Sequence, residues 1–365
     1  DCGTRSDLNY LIGEMIGELN IGHTYVWGGD LRSGLKKTNG VLLGVDLDFN
    51  ENYPKITKIY LPEEVDPEIK SPFYGTFVKE GYYIISVDGK EAKSDINFYS
   101  LLENKNKVVE VMVNTKPQKE GAIKVLVNPI KSEMALRYRV WVDENRQKVA
   151  NLSNGKIGYV HIPDMGESGL KEFGRTYYSQ LNKPALIIDD RYNAGGFTGD
   201  MLINRLEKKV WAVTQPREGK PSLNPEKGCF SHLALLINED TGSCGEFYAT
   251  AFKFKNLGKI FGMRTWGGAI GIEAHQDLID GGTVTPPQFG LYSLDRKWLI
   301  EGRGVDPDVE IQNMPKDVLE GKDTQLETVI NYLLEKIKED PKEIPPSPSY
   351  PNKARPKGSD TTYYQ

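Results

Sequence analysis

The sequence predicts an α/β protein whose core carries a small β-rich insertion and follows an N-terminal helical segment. Three observations support this. Between Lys156 and Gln312, short apolar strands alternate with amphipathic helical stretches, the pattern of an α/β core on a largely parallel sheet. Between Gly40 and Ile130, strand-like runs follow one another with little but turns between them. Near the start, Leu8, Leu11, Ile12, Met15, Ile16 and Leu19 recur at helical spacing.

Composition sets the bounds. At 365 residues the chain exceeds one typical domain, so two or more cores are expected. No run reaches the about 18 apolar residues a membrane span needs. The net charge of -5, with acids and bases interspersed, gives neither the basic footprint of a nucleic-acid binder nor a polybasic membrane patch. Cys2, Cys229 and Cys244 are odd in number and lack CxxC spacing, which argues against a disulfide framework and a zinc site. No metal and no cofactor is expected. The opening DCGTRSDLNYLIGEMIGELNIGHTYVW lacks the basic start and apolar run of a signal peptide, and reads as a fragment or a processed chain. The compartment stays open, with cytoplasm the default and the periplasm or export following if the chain is processed.

In chain order, the first helix is expected to be capped by Ser6 or Asp7 and to need a partner surface for its apolar stripe. GVLLGVDLDF, KITKIYL, GYYIISVDGKEA, VVEVMVN and AIKVLVNPI read as strands, and Ile96 to Leu102 as a short helix or loop. KSEMALRYRVWVDENRQKVANLSN reads as a charged connector. KIGYVHI, PALIIDDR, HLALLINED and KIFGMR are strands of the core, with helices around Gly169 to Leu181, Met201 to Leu206 and Gly245 to Lys255. An amphipathic helix over Asp323 to Lys338 follows. From Asp340, Pro341, Pro345, Pro346, Pro348 and Pro351 predict an extended or mobile tail.

Chemistry enters at NEDTGSCGEFYATAF, where Ser243 lies between a buried strand and a helix with Gly242 and Gly245 beside it. Such a turn presents a nucleophilic serine at the positive end of a helix. It equally describes an N-cap serine. In IIDDRYNAGGFTGD, Gly195 and Gly196 follow a strand, where backbone N–H groups can face a bound oxygen or simply form a turn. A nucleophilic serine needs a base to remove its proton. Of the four histidines, His161 lies within a strand, His232 opens the strand before Ser243 and His275 sits in a polar loop. His23 follows the first helix in the turn ELNIGHTYVWGG, where its side chain can be aimed.

As a set, IGELNIGHTYVWGG, the β-rich module, DDRYNAGGF, NEDTGSCGE, RTWGGAIG and WLIEGRGVDPDVEI resemble the catalytic half of the tricorn proteases, relatives of the carboxyl-terminal processing serine peptidases. The resemblance runs from about Asp7 to Ile311. It implies a crotonase-like ββα core and a PDZ-like domain. Residue by residue it places Ser243 at the nucleophile, His23 at the general base and Glu301 at the acidic member. Gly196, with Gly195 beside it, and Cys244 fall at the oxyanion hole. Thr265, Gly267 and Gly268 of RTWGGAIG fall where they would line the substrate cleft. In PDZ domains an apolar-glycine loop holds a peptide carboxylate, and here that loop is Leu42, Leu43, Gly44 and Val45.

Two positions depart from the family. Gly22 stands where the family has a serine bridging histidine and glutamate, which leaves Thr24, Tyr25 or a water as candidate substitutes, and Glu301 has a rival reading as a partner of Arg303 or Arg264. Cys244 stands where aspartate is common, and a helix N-terminus would make its thiol a competing nucleophile, although the register favours Ser243. The implied layout is residues 1–36 helical segment with the base, 37–131 PDZ-like domain, 132–339 peptidase domain and 340–365 tail. The implied function is hydrolysis of peptide bonds in unfolded polypeptides or oligopeptides through an acyl-enzyme. The implied partners are a peptide substrate and a homo-oligomer, with no nucleic acid. The alternatives are a non-catalytic peptide- or ligand-binding protein with a degenerate site and an enolate-stabilising enzyme of crotonase architecture.

Overall fold

The computed structural model describes residues 2–31, 38–63, 68–105, 107–272 and 275–349. The chain forms two compact units, Asp1–Gly155 with Ile270–Gly302 and Lys156–Ala269 with Arg303–Gln365. The expected boundary at residues 36/37 lies outside the described residues, as does the tail from residue 350 with Pro351.

In the first unit, α1 (Arg5–Gly17) is capped by Thr4, earlier than expected. Asp7 takes the third helical position instead. Its N–H donates to Thr4 Oγ1 at 3.1 Å and its carboxylate accepts the Thr4 N–H at 2.8 Å, a reciprocal capping box. Of the apolar stripe, Leu8, Leu11, Met15 and Leu19 are exposed, Met15 at 66%, and Ile12 and Ile16 are half-buried. Strand β1 (Val26–Gly28) pairs antiparallel with Gly282–Val284 of the returning segment.

The β-rich insertion comprises β2 (Val45–Asp48), β3 (Lys55–Ile59), β4 (Tyr83–Val87), β5 (Lys90–Glu91), β6 (Val109–Asn114) and β7 (Ile123–Val127). They form an antiparallel sheet in the order β2-β3-β4-β6-β7, with β5 paired to β4. Strand β6 buries Val109, Val111 and Val113 and leaves Glu110 and Met112 partly exposed, as a sheet with one packed face requires. Leu43, Ile56, Ile84, Phe98 and Leu102 complete the core. The stretch Ile96 to Leu102 contains a 3-10 turn over Phe98–Leu102, capped by the Asn97 side chain.

What reads as a charged connector is α2 (Met134–Leu152), a helix of 19 residues. Leu136, Val140 and Val149 keep helical spacing and are buried, but the ionic residues between them mask the period. Those charges have specific partners. Arg137 pairs with Asp46 of β2 at 2.8 Å, and Lys58 of β3 with Glu144 at 2.7 Å.

The second unit is an α/β layer structure. Its elements are β8 (Ile157–His161), α3 (Glu167–Tyr177), β9 (Ala185–Asp189), α4 (Gly199–Glu207), β10 (Ala212–Thr214), β11 (Ser222–Asn224), β12 (His232–Ile237), α5 (Cys244–Phe254) and β13 (Gly258–Gly262). Then come strand Val309–Glu310, α6 (Pro315–Leu319) and α7 (Thr324–Glu339). Val309–Glu310, β13, β12, β9 and β8 form one parallel sheet in that order. Helix α3 packs on β8, α5 on β12 and β13, and α7 chiefly on β12 and β9. Every residue of β8 and β9 is buried, which explains the unbroken apolar runs in the sequence.

Because β9 and β12 are parallel neighbours in register, the DDRYNAGG and NEDTGS turns leave adjacent strand ends on the same side of the sheet. Ligand sites of open α/β sheets form at such carboxyl ends. Arg191, 2% exposed, binds Asp189 at 2.7 Å and Asp323, the N-cap of α7, at 2.9 Å. A buried guanidinium demands such partners. In the described part of the tail, Pro345, Pro346 and Pro348 are exposed and border a cavity of about 470 Å³ with Trp211, Leu223 and Phe230, beside the β10–β11 hairpin.

Candidate active site

Ser243 sits at the N-cap of α5, half-buried, with φ 52° and ψ -123°. This backbone state is sparsely populated by side-chain-bearing residues and costs on the order of 1–3 kcal/mol, so surrounding contacts must hold it. They are present. The Gly242 N–H donates to Asn193 O at 3.0 Å, the Ser243 N–H to Glu246 Oε2 at 3.2 Å, and the Gly245 N–H to Gly242 O at 2.9 Å. A Cβ on Gly242 would lie 3.0 Å from the Trp266 ring, so a larger residue there would press on that ring.

The glycine pair packs on this turn. A Cβ on Gly195 would lie 2.5 Å from Ser243 Cβ, and one on Gly196 would lie 2.3 Å from Met165 O. The two N–H groups differ. That of Gly195 donates to Asn193 Oδ1 at 2.8 Å, whereas that of Gly196 donates to no acceptor among the described residues. Cys244 opens α5, where an N–H has no intrahelical acceptor. Ser243, Gly195, Gly196 and Cys244 are therefore brought together within the second unit.

Two further residues hold this arrangement, Asn193 and Glu246, the latter readable from sequence only as a first-turn carboxylate of α5. Asn193 accepts from Gly195 through its side chain and from Gly242 through its backbone, while its Nδ2 donates to Asp190 Oδ1 at 2.8 Å and Ile162 O at 3.0 Å. Glu246, fully buried, accepts from Thr265 Oγ1 and the Gly267 N–H, both at 2.6 Å, as well as from Ser243. It thereby fixes Thr265, Gly267 and the adjacent Gly268 to the serine turn. Burial raises both carboxyls, that of Asp190 well above the usual range, against the lowering effect of their hydrogen bonds. An Asn two residues before a glycine and a Glu three after a serine are the local signals for these bonds.

The Cys244 thiol does not follow the expectation of a lowered pKa. It is 8% exposed, and burial pushes it up despite its place at a helix N-terminus. A buried thiol is a poor thiolate source, so the competing nucleophile loses its basis.

In the first unit, His23 and Glu301 come together. His23 has φ 60° and is anchored by its carbonyl, which accepts from Thr285 Oγ1 at 2.7 Å. Glu301 accepts the Gly22 N–H on Oε1 and the Ile270 N–H on Oε2, each at 2.6 Å. Glu301 thus grips the backbone immediately before His23, through the N–H of Gly22. The Thr24 hydroxyl donates to Ile21 O at 3.1 Å, and Arg303 pairs with Asp306 at 2.6 Å. Burial depresses the His23 pKa below its ordinary value, and the Glu301 charge opposes this. His161 is buried on Arg191 O at 2.9 Å, His232 meets Asp340 O at 2.7 Å and His275 lies near Asp277 at 3.7 Å.

The candidate carboxylate loop lies in the first unit. Its Gly44 N–H donates to Glu133 Oε1 at 2.8 Å.

Comparison with known proteins agrees with both regions. Residues 156–311 match Peptidase family S41, and residues 41–132 match the Tricorn protease PDZ domain. One chain thus joins a region that matches Peptidase family S41 to a region that matches the tricorn-type PDZ domain, the class of protein it is similar to. The individual relatives are specific. It is 34% identical over 351 residues to the tricorn protease of Thermoplasma acidophilum, covering 95% of this chain and 32% of that one. It is 35% identical over 339 residues to a tricorn protease homolog of Saccharolobus solfataricus, covering 92% and 31%. The crystal structure of the tricorn protease superposes with a TM-score of 0.85 at 34% identity, over 92% of this chain and 33% of that chain. The chain spans about a third of the length of the curated relatives it matches.

Proposed function

We propose that the chain hydrolyses peptide bonds in unfolded polypeptides or oligopeptides through an acyl-enzyme on Ser243. His23 takes the Ser243 proton, and the alkoxide attacks the scissile carbonyl carbon. The resulting oxyanion is held by the N–H groups of Gly196 and Cys244. His23 returns the proton to the leaving amine, then activates the water that releases the acid. Glu301 fixes the His23 turn through the Gly22 N–H and raises the basicity of the imidazole. Thr265, Gly267 and Gly268 line the cleft.

The observation that carries the reading is the Ser243 turn, with its positive φ held from both sides and the unused Gly196 N–H beside it. The same reading takes the second unit as a crotonase-like ββα core and keeps the layout 1–36, 37–131, 132–339 and 340–365. Exposed Leu11, Met15, Leu294 and Trp298 support self-association of the chain. Relatives named as proteases favour a working site over the rival binding protein.

Intact mass after incubation with a fluorophosphonate ester tests the site. One adduct on the parent chain, absent from Ser243→Ala and His23→Ala, is the expected result. A folded parent chain that stays unmodified overturns it.

A further inference from the structure

The apolar-glycine loop of the β-rich module already holds a carboxylate, and that carboxylate belongs to the same chain. Glu133, 9% exposed at the N-cap of α2, accepts the Gly44 N–H on Oε1 at 2.8 Å. Its Oε2 is gripped by Arg137, one helical turn on, through Nε at 2.8 Å and Nη2 at 2.6 Å. Arg137 in turn reaches Asp46 of β2 at 2.8 Å and lies over the Tyr60 ring at 4.1 Å. The loop is closed from the other side by Leu42, which exchanges two backbone hydrogen bonds with Ile130 at 2.7 and 3.0 Å. Space is short as well. A Cβ on Gly44 would lie 2.9 Å from Leu136 Cδ2 of α2 and 3.1 Å from Pro72 Cδ.

A backbone N–H in such a loop recognises an anionic oxygen, and in PDZ-type recognition that oxygen is a peptide's terminal carboxylate. We propose that Glu133 is the resident ligand of the Leu42–Val45 loop, so that the module holds its own helix α2 in place of a peptide C-terminus. A free peptide must compete with a ligand in the same chain, held three residues beyond Ile130, which is itself hydrogen-bonded to Leu42, so that its effective concentration is about millimolar or higher. Arg137 donates twice to one carboxylate oxygen, Oε2, which leaves Oε1 for the Gly44 N–H and adds to the carboxylate's advantage. In its folded state the module takes no free C-terminal carboxylate. This inference does not rest on the catalytic reading, and its test does not use hydrolysis.

The test uses the full chain in a Ser243→Ala background, so that no peptide is cut. Two random hexapeptide pools are added, one with free C-termini and one amidated, and amide hydrogen exchange of residues 41–46 is followed. Propionate and propionamide serve as minimal probes in the same assay and in thermal unfolding. In the Ser243→Ala chain, neither acid is expected to protect residues 41–46 beyond its amide. With Glu133→Ala added, the free-acid pool is expected to protect this segment at roughly tenfold lower concentration than the amidated pool. Propionate, and not propionamide, should raise the unfolding midpoint of that variant. Acid-selective protection of residues 41–46 while Glu133 is intact overturns the proposal, with no further variant needed. So does a folded Glu133→Ala chain that shows no acid selectivity in any of these assays. If Glu133→Ala does not fold, Glu133→Gln, which keeps the volume and removes the charge, is read in the same way.

Discussion

At Asn193 one side chain serves two loops, and its loss should separate positioning from folding. Asn193→Ala removes the acceptor of the Gly195 N–H and a donor to Asp190. Misplacing a reacting group by about an ångström can lower turnover by roughly 10²-fold. We expect kcat to fall by about that factor with KM little changed, and stability to fall by about 1–3 kcal/mol from the buried groups left unpaired. Steady-state kinetics and urea titration read the two effects separately. Glu301→Gln addresses the base. The Glu301 charge raises the His23 pKa, so removing it lowers that pKa further. A general base acts when deprotonated, so the acid limb of the pH profile of kcat/KM should move to lower pH. An unmoved limb would remove Glu301 from the site. The serine and the glycine pair were legible because glycine marks positions that a Cβ cannot occupy. The parts played by Asn193 and Glu246 were not, since their partners Gly242, Thr265 and Gly267 are distant in sequence and only the folded turn brings them near.

Among the elements, β9, β12 and α5 were plain in the sequence because buried parallel strands leave unbroken apolar runs and α5 follows a glycine turn. Helix α2 was hidden by its charges, which are ion-pair partners of β2 and β3 and not signs of a solvated linker. The short β10–β11 hairpin left no pattern at all, since three-residue strands are below the length at which alternation can be read. Helix α7 was legible from its period, but its anchorage was not. Asp323 caps the helix at Leu326 and also accepts from buried Arg191. Asp323→Ala should cost about 2 kcal/mol, combining a lost cap with a weakened buried ion pair. Chemical denaturation measures it, and a change under about 0.5 kcal/mol would mean that Asp189 alone satisfies the guanidinium.

For the whole molecule, length alone predicted more than one core, and the chain does form two compact units. What length and pattern could not show is the path. The chain leaves the first unit after Gly155, returns at Ile270 and leaves again after Gly302, so His23 and Glu301 share a unit although 278 positions separate them in the sequence. Two cores of different architecture make a single two-state transition the exception. Scanning calorimetry should give a calorimetric enthalpy above the van't Hoff value, and equality of the two would show that the units melt as one. The paired hydrogen bonds between Leu42 and Ile130 have a further consequence, for ancestry. Entry to and exit from the β-rich insertion are hydrogen-bonded neighbours, so the module behaves as a loop on a closed stem. A recombination event that removes or replaces the gene segment between them joins two points already side by side, which leaves this module open to exchange during evolution.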